Sequence, residues 1–318
     1  MPTITLKDGR LLAYESYGDT SERGTRVIFS HGLADSRLLK HWDDDLTKSL
    51  GVHIVSIDQP GVGGSSNIPL EQRTLKGYAE DVRELVGDHL KWTKPFQVAG
   101  HSGGGPHALA LAHYLGPEMV TGGVLAAPAP PFDAPLDTRN PRDGTYSHFV
   151  FANAFIMQVI FWIFRQLPFL AYGLCRILVW YGTRDIAAYT KAVALSDRTN
   201  SNPETFLGDP KQTKVFEDSF SAGICQGTAG LMGMIHVTML IPSWGFDIRC
   251  DIDPSQRFDV FVSDLDSLFK PHLGELWCKA LPNTNWHLWE NAGHYSFVDR
   301  ICWIEFWTKV KSNNKVNN

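Results

Sequence analysis

Residues 96–105 read Phe-Gln-Val-Ala-Gly-His-Ser-Gly-Gly-Gly, and this stretch predicts a strand, a tight turn and the start of a helix. Its first four residues form a short apolar run that predicts a buried strand, and the small residues over 104–115 predict a helix. Glycines on both sides of a serine at a strand-to-helix turn permit the strained backbone that lets the side chain project from the sheet edge. Because Gly100 to Gly104 fits G-x-S-x-G, Ser102 is the candidate nucleophile.

A candidate base for that serine stands near the end of the chain. A serine hydroxyl is a poor nucleophile at neutral pH and needs a base, which an acid must orient. Of the 12 histidines, His294 lies in a turn directly after a predicted strand over Trp286–Trp289. His101 lies inside the turn Gly100–Gly104 that carries Ser102 (the elbow), and His31 lies in another loop. Each therefore has a local role that competes with a role as the base. The sequence therefore predicts His294 as the base.

Two aspartates are candidates for the acid. Asp264 and Asp266 follow a predicted strand over Arg257–Val262, and either side chain could point at the His294 ring. The order along the chain is then serine, aspartate, histidine, as this type of strand-to-helix nucleophile turn requires. The spacing alone leaves both aspartates open.

An oxyanion needs two backbone N–H groups aimed at it. One is expected from Gly103, directly after the nucleophile, and the other from Leu33, in the loop that follows a predicted strand over Val27–Ser30. Gly32 lets this loop turn so that the Leu33 N–H faces the serine. The loop residues His31 and Gly32, together with His101 in the elbow, are predicted to line the substrate site.

The distribution of strands and helices predicts a single α/β core interrupted by an insertion. Over residues 1–127 short β-rich runs alternate with helical stretches, which favours a mostly parallel sheet with helices on both faces. Five prolines then fall between positions 128 and 141 and stop regular structure, and the chain beyond looks helical to about 239. We expect a core over 1–127 and 240–318, with an α-helical cap over 128–239.

Composition and charge exclude several classes of protein. The 318 residues are 43% hydrophobic and 20% charged, a globular profile that excludes disorder and fibre. With 29 Lys and Arg against 34 Asp and Glu, the net charge is -5, so the basic footprint of a nucleic-acid binder is missing. The five cysteines are dispersed without a Cys-x-x-Cys pair. We expect a small-molecule substrate, no nucleic-acid partner, no metal and no cofactor.

Location follows from two segments. Residues 1–10 contain Lys7, Asp8 and Arg10 and no apolar signal region, so a cytoplasmic protein is expected. The apolar run Phe149–Phe164 is shorter than the ~18–20 residues that a membrane-spanning helix needs, and it ends at Arg165. No membrane span is therefore predicted.

Four motifs together resemble the α/β-hydrolase superfamily, specifically its serine-nucleophile enzymes with a helical cap. They are His31-Gly32, the turn Asp58-Gln59-Pro60-Gly61-Val62-Gly63-Gly64-Ser65, the elbow Gly100–Gly104, and Gly293-His294. Trp244-Gly245-Phe246-Asp247 also resembles the exit from the cap in this superfamily. The resemblance implies the α/β-hydrolase fold and a Ser-His-Asp triad that works through an acyl-serine intermediate.

Departures from the superfamily pattern narrow the expectation. The acid loop of the superfamily usually reads Gly-x-x-Asp; here Ser263 replaces that glycine, and this register favours Asp266 over Asp264. The loop His31 to Asp35 is not the His-Gly-Gly-Pro-Gly of proline iminopeptidase-like members, so peptidase activity is disfavoured. Epoxide hydrolases and haloalkane dehalogenases of this fold need a carboxylate nucleophile, and Ser102 argues against both.

The cap is rich in aromatic residues, which predicts an apolar pocket wall, although these side chains could also only pack the cap helices. They are Phe149, Phe151, Phe155, Phe161, Trp162, Phe164, Trp180 and Tyr181. Phe155 and Trp162 are the candidates for substrate contact. The predicted function is hydrolysis of a carboxylic ester or lactone of a lipophilic small molecule. The alternatives are C–C cleavage, lyase or cyclisation chemistry on the same triad, and a ligand-binding, receptor-like role.

Overall fold

The computed structural model describes residues 2–129, 162–196, 208–241, 243–266, 268, 269, 271 and 273–316. Within these residues the strands are β1 (Thr3–Thr5), β2 (Leu11–Gly18), β3 (Thr25–Ser30), β4 (Val52–Ile57), β5 (Phe96–His101), β6 (Val120–Ala126), β7 (Arg257–Ser263) and β8 (Thr284–Trp289). They form one sheet in the order β1-β2-β4-β3-β5-β6-β7-β8. The pairs β1–β2 and β2–β4 are antiparallel and every other pair is parallel. The predicted α/β class is confirmed.

The two central strands β3 and β5 bring the candidate loops together. Val27, Ile28 and Phe29 of β3 are all fully buried, which is typical of a parallel strand covered by helices on both faces. The register pairs Ser30 at the end of β3 with Gly100 near the end of β5. The loop after β3 and the elbow after β5 therefore leave the same edge of the sheet side by side.

Helices cover both faces of this sheet. The helices that pack on the sheet are α1 (Asp44–Ser49), α2 (Leu75–Glu84), α3 (Gly104–Leu115), α8 (Leu273–Ala280) and α9 (Arg300–Val316). Between β6 and β7 the chain forms α4 (Pro168–Arg184), α5 (Ile186–Ser196), α6 (Pro210–Ile224) and α7 (Thr228–Ile235). One core cluster packs α2, α3 and α8 on one face of the sheet. The other packs α1 and α9 on the opposite face, where Trp307 contacts Phe29 edge-on. The sheet thus lies between two helical layers.

Local sequence explains where α2 and α6 begin. The Thr74 side chain accepts the Gly77 N–H at 2.9 Å, and the Asp209 side chain accepts the Lys211 N–H at 2.8 Å, next to Pro210 in the first turn. In α2 the buried residues Leu75, Tyr78, Ala79 and Val82 recur at helical spacing. Each helix therefore starts at a capping residue that the sequence supplies.

Helices α4 to α7 form the predicted helical insertion between two neighbouring strands of the sheet. The strand order places β6 beside β7, so the chain leaves the sheet after Ala126 and returns to its neighbour at Arg257. Most of the proline-rich segment and the apolar run near 149 lie outside the described residues. The exact limits 128–239 of the cap remain a prediction. Within the described chain, no helix combines the length and the apolar character needed to cross a bilayer.

Candidate active site

The backbone at Ser102 is strained, as expected for a nucleophile elbow. Ser102 lies between β5 and α3 with a φ of 52°, a left-handed conformation that a non-glycine residue rarely adopts. A Cβ on Gly100 would lie 2.6 Å from the Gly104 carbonyl oxygen, and a Cβ on Gly104 would overlap the carbonyl oxygen of Ser30. The elbow is held by the Ser102 N–H, which donates to the Ala126 carbonyl at 2.9 Å. Gly100 is therefore required for the tight turn into α3, and Gly104 for the elbow to pack against β3.

His294 and Asp266 form a buried hydrogen-bonded pair. His294 Nδ1 lies 2.8 Å from Asp266 Oδ2, and both side chains are almost completely buried. Asp266 Oδ1 accepts the N–H groups of Leu268 at 2.7 Å and Phe269 at 2.9 Å, so the carboxyl group acts as an acceptor on both oxygens. We assign the ring proton to Nδ1 on this network. Nε2 is then left with a lone pair that can accept a proton.

Asp264 has a different place in the same loop. Its Oδ1 accepts the Ala292 N–H at 3.0 Å, and the Leu265 N–H donates to the Ala292 carbonyl at 3.0 Å. Asp264 is half-buried, whereas Asp266 is fully buried. The structure therefore brings Asp266 to His294 and uses Asp264 to hold the start of the loop that carries His294.

His101 joins the His294 loop to the elbow. Its Nε2 lies 3.0 Å from the His294 carbonyl oxygen, and the two rings lie 4.9 Å apart between centroids. Since a carbonyl oxygen only accepts, His101 carries its proton on Nε2. Burial lowers the pKa of His101 to about 3, so the ring is neutral. The residue before the candidate nucleophile is thus bonded to the backbone of the candidate base.

The loop after β3 lies directly against the elbow. A Cβ on Gly32 would lie 3.2 Å from Ser102 Cβ, and a Cβ on Gly103 would lie 3.4 Å from the Leu33 nitrogen. Within the described part of the chain, neither the Leu33 N–H nor the Gly103 N–H donates to an acceptor. Two neighbouring free donors beside a serine can stabilise a developing oxyanion.

His31 is bonded to the backbone through both ring nitrogens. Nε2 accepts the Gln59 N–H at 3.3 Å, which leaves Nδ1 to donate to the Gly32 carbonyl at 2.9 Å. The Gln59 side chain donates back to the His31 carbonyl at 3.1 Å. Burial lowers the pKa of His31 to about 4. The fully buried ring holds the shape of the loop, and this placement does not support its predicted contact with substrate.

A buried ion pair connects the same loop to the turn at 58–65. Arg37 Nη1 contacts Asp58 Oδ2, and Asp58 Oδ1 accepts the Arg37 N–H at 2.8 Å. Burial raises the pKa of Asp58, and the bonds from Arg37 and Gly64 oppose that shift. Neither Arg37 nor Asp35, two residues before it, stands out in the sequence, because both look like ordinary polar loop residues.

Of the two predicted pocket-wall residues of the cap, the structure describes only Trp162. Trp162 is 62% exposed. Phe155 lies outside the described residues. Two aromatic residues that the prediction did not name lie beside the His294 loop: Phe216 and Phe220 of α6 pack on Tyr295, next to His294, at centroid distances of 5.6 and 6.1 Å. The part of the cap that faces the His294 loop is therefore aromatic.

The family model of the alpha/beta hydrolase fold matches residues 25–301, a span that contains the elbow, both hydrogen-bonded loops and the cap. The chain belongs to the α/β-hydrolase fold family. The resemblance drawn from the four motifs is confirmed at the level of the family.

The individual relatives either are distant in sequence or match only part of the chain. The chain is 34% identical over 116 residues to a monoacylglycerol lipase of Mycolicibacterium smegmatis, and the match covers 35% of this chain and 40% of that relative. An esterase from Exiguobacterium antarcticum has a TM-score of 0.63 at 18% identity and 98% coverage of both chains. An enol-lactonase from Burkholderia xenovorans LB400 has a TM-score of 0.62 at 16% identity, covering 99% of this chain and 100% of that chain. At these identities the solved structures share the fold of this α/β hydrolase.

Proposed function

We propose that this α/β hydrolase is a serine enzyme that cleaves a carboxylic ester or lactone of a lipophilic small molecule. The observation that carries the proposal is the hydrogen bond between His294 and Asp266 beside the strained elbow of Ser102. An oriented histidine is what a serine hydroxyl needs in order to become nucleophilic. The names of the similar proteins, a monoacylglycerol lipase, an esterase and an enol-lactonase, agree with this chemistry.

The proposed reaction runs through an acyl-serine. Ser102 Oγ attacks the scissile carbonyl carbon while its proton passes to His294 Nε2, and Asp266 stabilises the imidazolium. The oxygen of the tetrahedral intermediate accepts hydrogen bonds from the Leu33 and Gly103 N–H groups. The intermediate expels the alcohol, which takes its proton from His294. Water, deprotonated by His294, then releases the acid and regenerates Ser102.

The aromatic lining of the cap supports a lipophilic substrate. Phe216 and Phe220 lie on Tyr295, which also contacts the His101 ring at 5.4 Å between centroids. An apolar acyl or ring group that enters between cap and core would be buried against such side chains. Phe155 and Trp162 remain proposed parts of this wall. A cytoplasmic location belongs to the same proposal. So does the absence of a nucleic-acid partner, because acidic residues outnumber basic ones in the sequence and the net charge is -5.

The experiment that tests the mechanism is labelling with a fluorophosphonate, which reacts with an activated serine. We expect a single mass adduct on Ser102 in the wild type and no adduct in Ser102→Ala. Labelling should also be lost in His294→Ala, because the base is removed. An adduct at another residue, or none in the folded wild type, would contradict the proposal.

A series of p-nitrophenyl esters with acyl chains of two to ten carbons tests the substrate class. Each buried methylene contributes about 0.8 kcal/mol, so kcat/KM should rise close to fourfold per methylene until the pocket is full. Phe155→Ala and Trp162→Ala should alter the preferred chain length while labelling by a small fluorophosphonate stays the same. Preference for acetyl over every longer chain would remove the lipophilic part of the proposal.

A further inference from the structure

Asp35 carries a fully buried carboxyl group that lies beside the elbow. The residue is fully buried, and within the described structure neither carboxyl oxygen has a hydrogen bond. Its Oδ2, Ser102 Cβ and His101 Nδ1 lie 3.1, 3.2 and 3.3 Å from the position that a Cβ on Gly32 would take. Buried polar groups are normally paired, so an unpaired carboxyl group next to a nucleophile points to a role in the site.

A second unpaired polar atom faces it. His101 Nδ1 is also buried without a hydrogen bond among the described residues, and it lies 3.9 Å from Asp35 Oδ2. Because His101 Nε2 carries the ring proton and donates to the His294 carbonyl, Nδ1 has a free lone pair. A carboxyl group that keeps its proton is a donor, and a rotation that moves the oxygen by about 1 Å would bring it within hydrogen-bond distance of Nδ1.

The surroundings favour the neutral form of this group. The titratable groups that face Asp35 are His101 from β5, His294 from its loop and Tyr189 from α5. Helix α6 contacts the backbone of the loop that carries Asp35 through Gly223 and Ser219, and neither residue is titratable. Burial raises the pKa of Asp35 to about 8, and the opposing effect of His294 is smaller.

We propose that Asp35 is a positioning residue that, as a neutral carboxylic acid, donates a hydrogen bond to His101 Nδ1 and so ties the loop after β3, which carries Leu33, to the elbow. The proposal rests on the proposed serine-hydrolase function. Through His101 Nε2 the same connection reaches the backbone of His294. The neutral form is required because an ionised Asp35 would place a negative charge beside the loop that must stabilise the oxyanion. At close range such repulsion slows the reaction about 10- to 100-fold.

Asparagine and alanine at position 35 separate this role from packing. An asparagine is neutral and can donate its amide N–H to His101 Nδ1, whereas an alanine cannot. With p-nitrophenyl butyrate between pH 5 and 10, we expect kcat/KM of the wild type to fall at alkaline pH with an apparent pKa near 8. Asp35→Asn should keep kcat/KM within about threefold of the wild type at pH 7 and lose the alkaline fall. Asp35→Ala should be at least about tenfold slower in kcat.

The control makes the same chemical change at an exposed site. Asp45 in α1 has a side chain that is 95% exposed, so Asp45→Asn should keep both the rate and the alkaline fall. The proposal is overturned if Asp35→Asn is as slow as Asp35→Ala, or if its alkaline fall persists. If fluorophosphonate fails to label the folded wild type, the serine-hydrolase proposal itself fails. If the wild type is labelled but Asp35→Asn is inactive, only the proposed role of Asp35 fails.

Thermal unfolding gives a readout that does not depend on activity. Between about pH 4 and 8 the unfolded chain has lost the Asp35 proton and the folded chain retains it, so this residue lowers stability as the pH rises. The Tm of Asp35→Asn minus that of the wild type should therefore increase from pH 5 to pH 7.5. A Tm difference that is constant with pH would mean that Asp35 is ionised in the folded protein and would overturn the proposal.

Discussion

Asp264 and Asp266 stand two residues apart after β7, yet their carboxyl groups have different partners. Asp266 accepts from His294 Nδ1 at 2.8 Å, while Asp264 accepts the Ala292 N–H at 3.0 Å. A histidine that serves as base must keep its proton on Nδ1, and only an acceptor at that nitrogen enforces this tautomer. At the residue scale, the proposed role of His294 as base therefore depends on Asp266, the aspartate that accepts from its Nδ1.

Replacing each aspartate by asparagine tests this difference. In Asp266→Asn the amide can donate to Nδ1 and stabilise the wrong tautomer, so we expect a loss of about 10^4-fold in kcat with little change in fold. In Asp264→Asn the amide oxygen can still accept the Ala292 N–H, and we expect less than about tenfold. Both are measured with p-nitrophenyl butyrate and by circular dichroism. The opposite ranking would reassign the acid to Asp264.

At the scale of elements, α6 of the cap packs directly on the loop after β3, at Ala34 to Ser36. A Cβ on Gly223 would overlap the carbonyl oxygen of Ala34, and the Ser36 N–H donates to Ser219 Oγ at 3.0 Å. The overlapping atom belongs to the backbone, which cannot move away as a flexible side chain can. The absence of a side chain at Gly223 is therefore a condition for the contact between the cap and the loop that carries Leu33.

Gly223→Ala should push α6 away from the loop that carries Leu33. We expect a loss of about 1–3 kcal/mol in the free energy of unfolding, measured in urea, and a lower kcat because the Leu33 N–H is displaced. Gly173→Ala is the matched control: Gly173 lies in α4 with no atom within 4 Å of its Cβ position. That change should stabilise the helix by up to about 1 kcal/mol and leave kcat unchanged. Equal effects of the two substitutions would contradict the proposed contact.

At the scale of the whole molecule, burial keeps several histidines neutral. Burial lowers the pKa of His31 and His107 to about 4 and that of His101 to about 3. Between about pH 4 and the ordinary histidine pKa near 6.5, the unfolded chain binds protons that the folded chain does not. The contribution of these residues to stability is therefore complete above pH 6.5 and is lost as the pH falls toward 4.

His107→Gln should remove the contribution of one histidine to this pH dependence of stability. His107 Nδ1 lies 3.1 Å from the Gly103 carbonyl, and its ring packs edge-on against Tyr78. Between pH 4.5 and 6 we expect the free energy of unfolding of the variant to fall less steeply than that of the wild type, by about 1.4 kcal/mol per pH unit. Above pH 7 the two curves should be parallel. Identical slopes at acid pH would mean that His107 is protonated in the folded state.

The local parts of this protein could be predicted from the sequence. The strand over Phe96–Ala99, the helix Gly104–Leu115 and the elbow between them depend on apolar runs and glycines that are adjacent in the chain. His294 was singled out because it follows a strand and a turn. The strand β2 at full length and helices α8 and α9 were not predicted, and the limits of the cap still rest on the sequence alone.

Which polar groups meet depends on the tertiary structure. The register of the acid loop favoured Asp266 over Asp264, and the hydrogen bond to His294, across 28 residues of chain, agrees with that choice. The burial of Asp35 against His101 of β5 could not be read from the sequence. His31 proved to be a fully bonded part of the loop's framework. Burial and pairing depend on elements that are distant in the sequence, whereas strand, helix and turn signals depend on neighbours. The fold and the candidate nucleophile and base therefore follow from local sequence patterns, whereas the partners and charge of the polar groups around them depend on how distant loops pack.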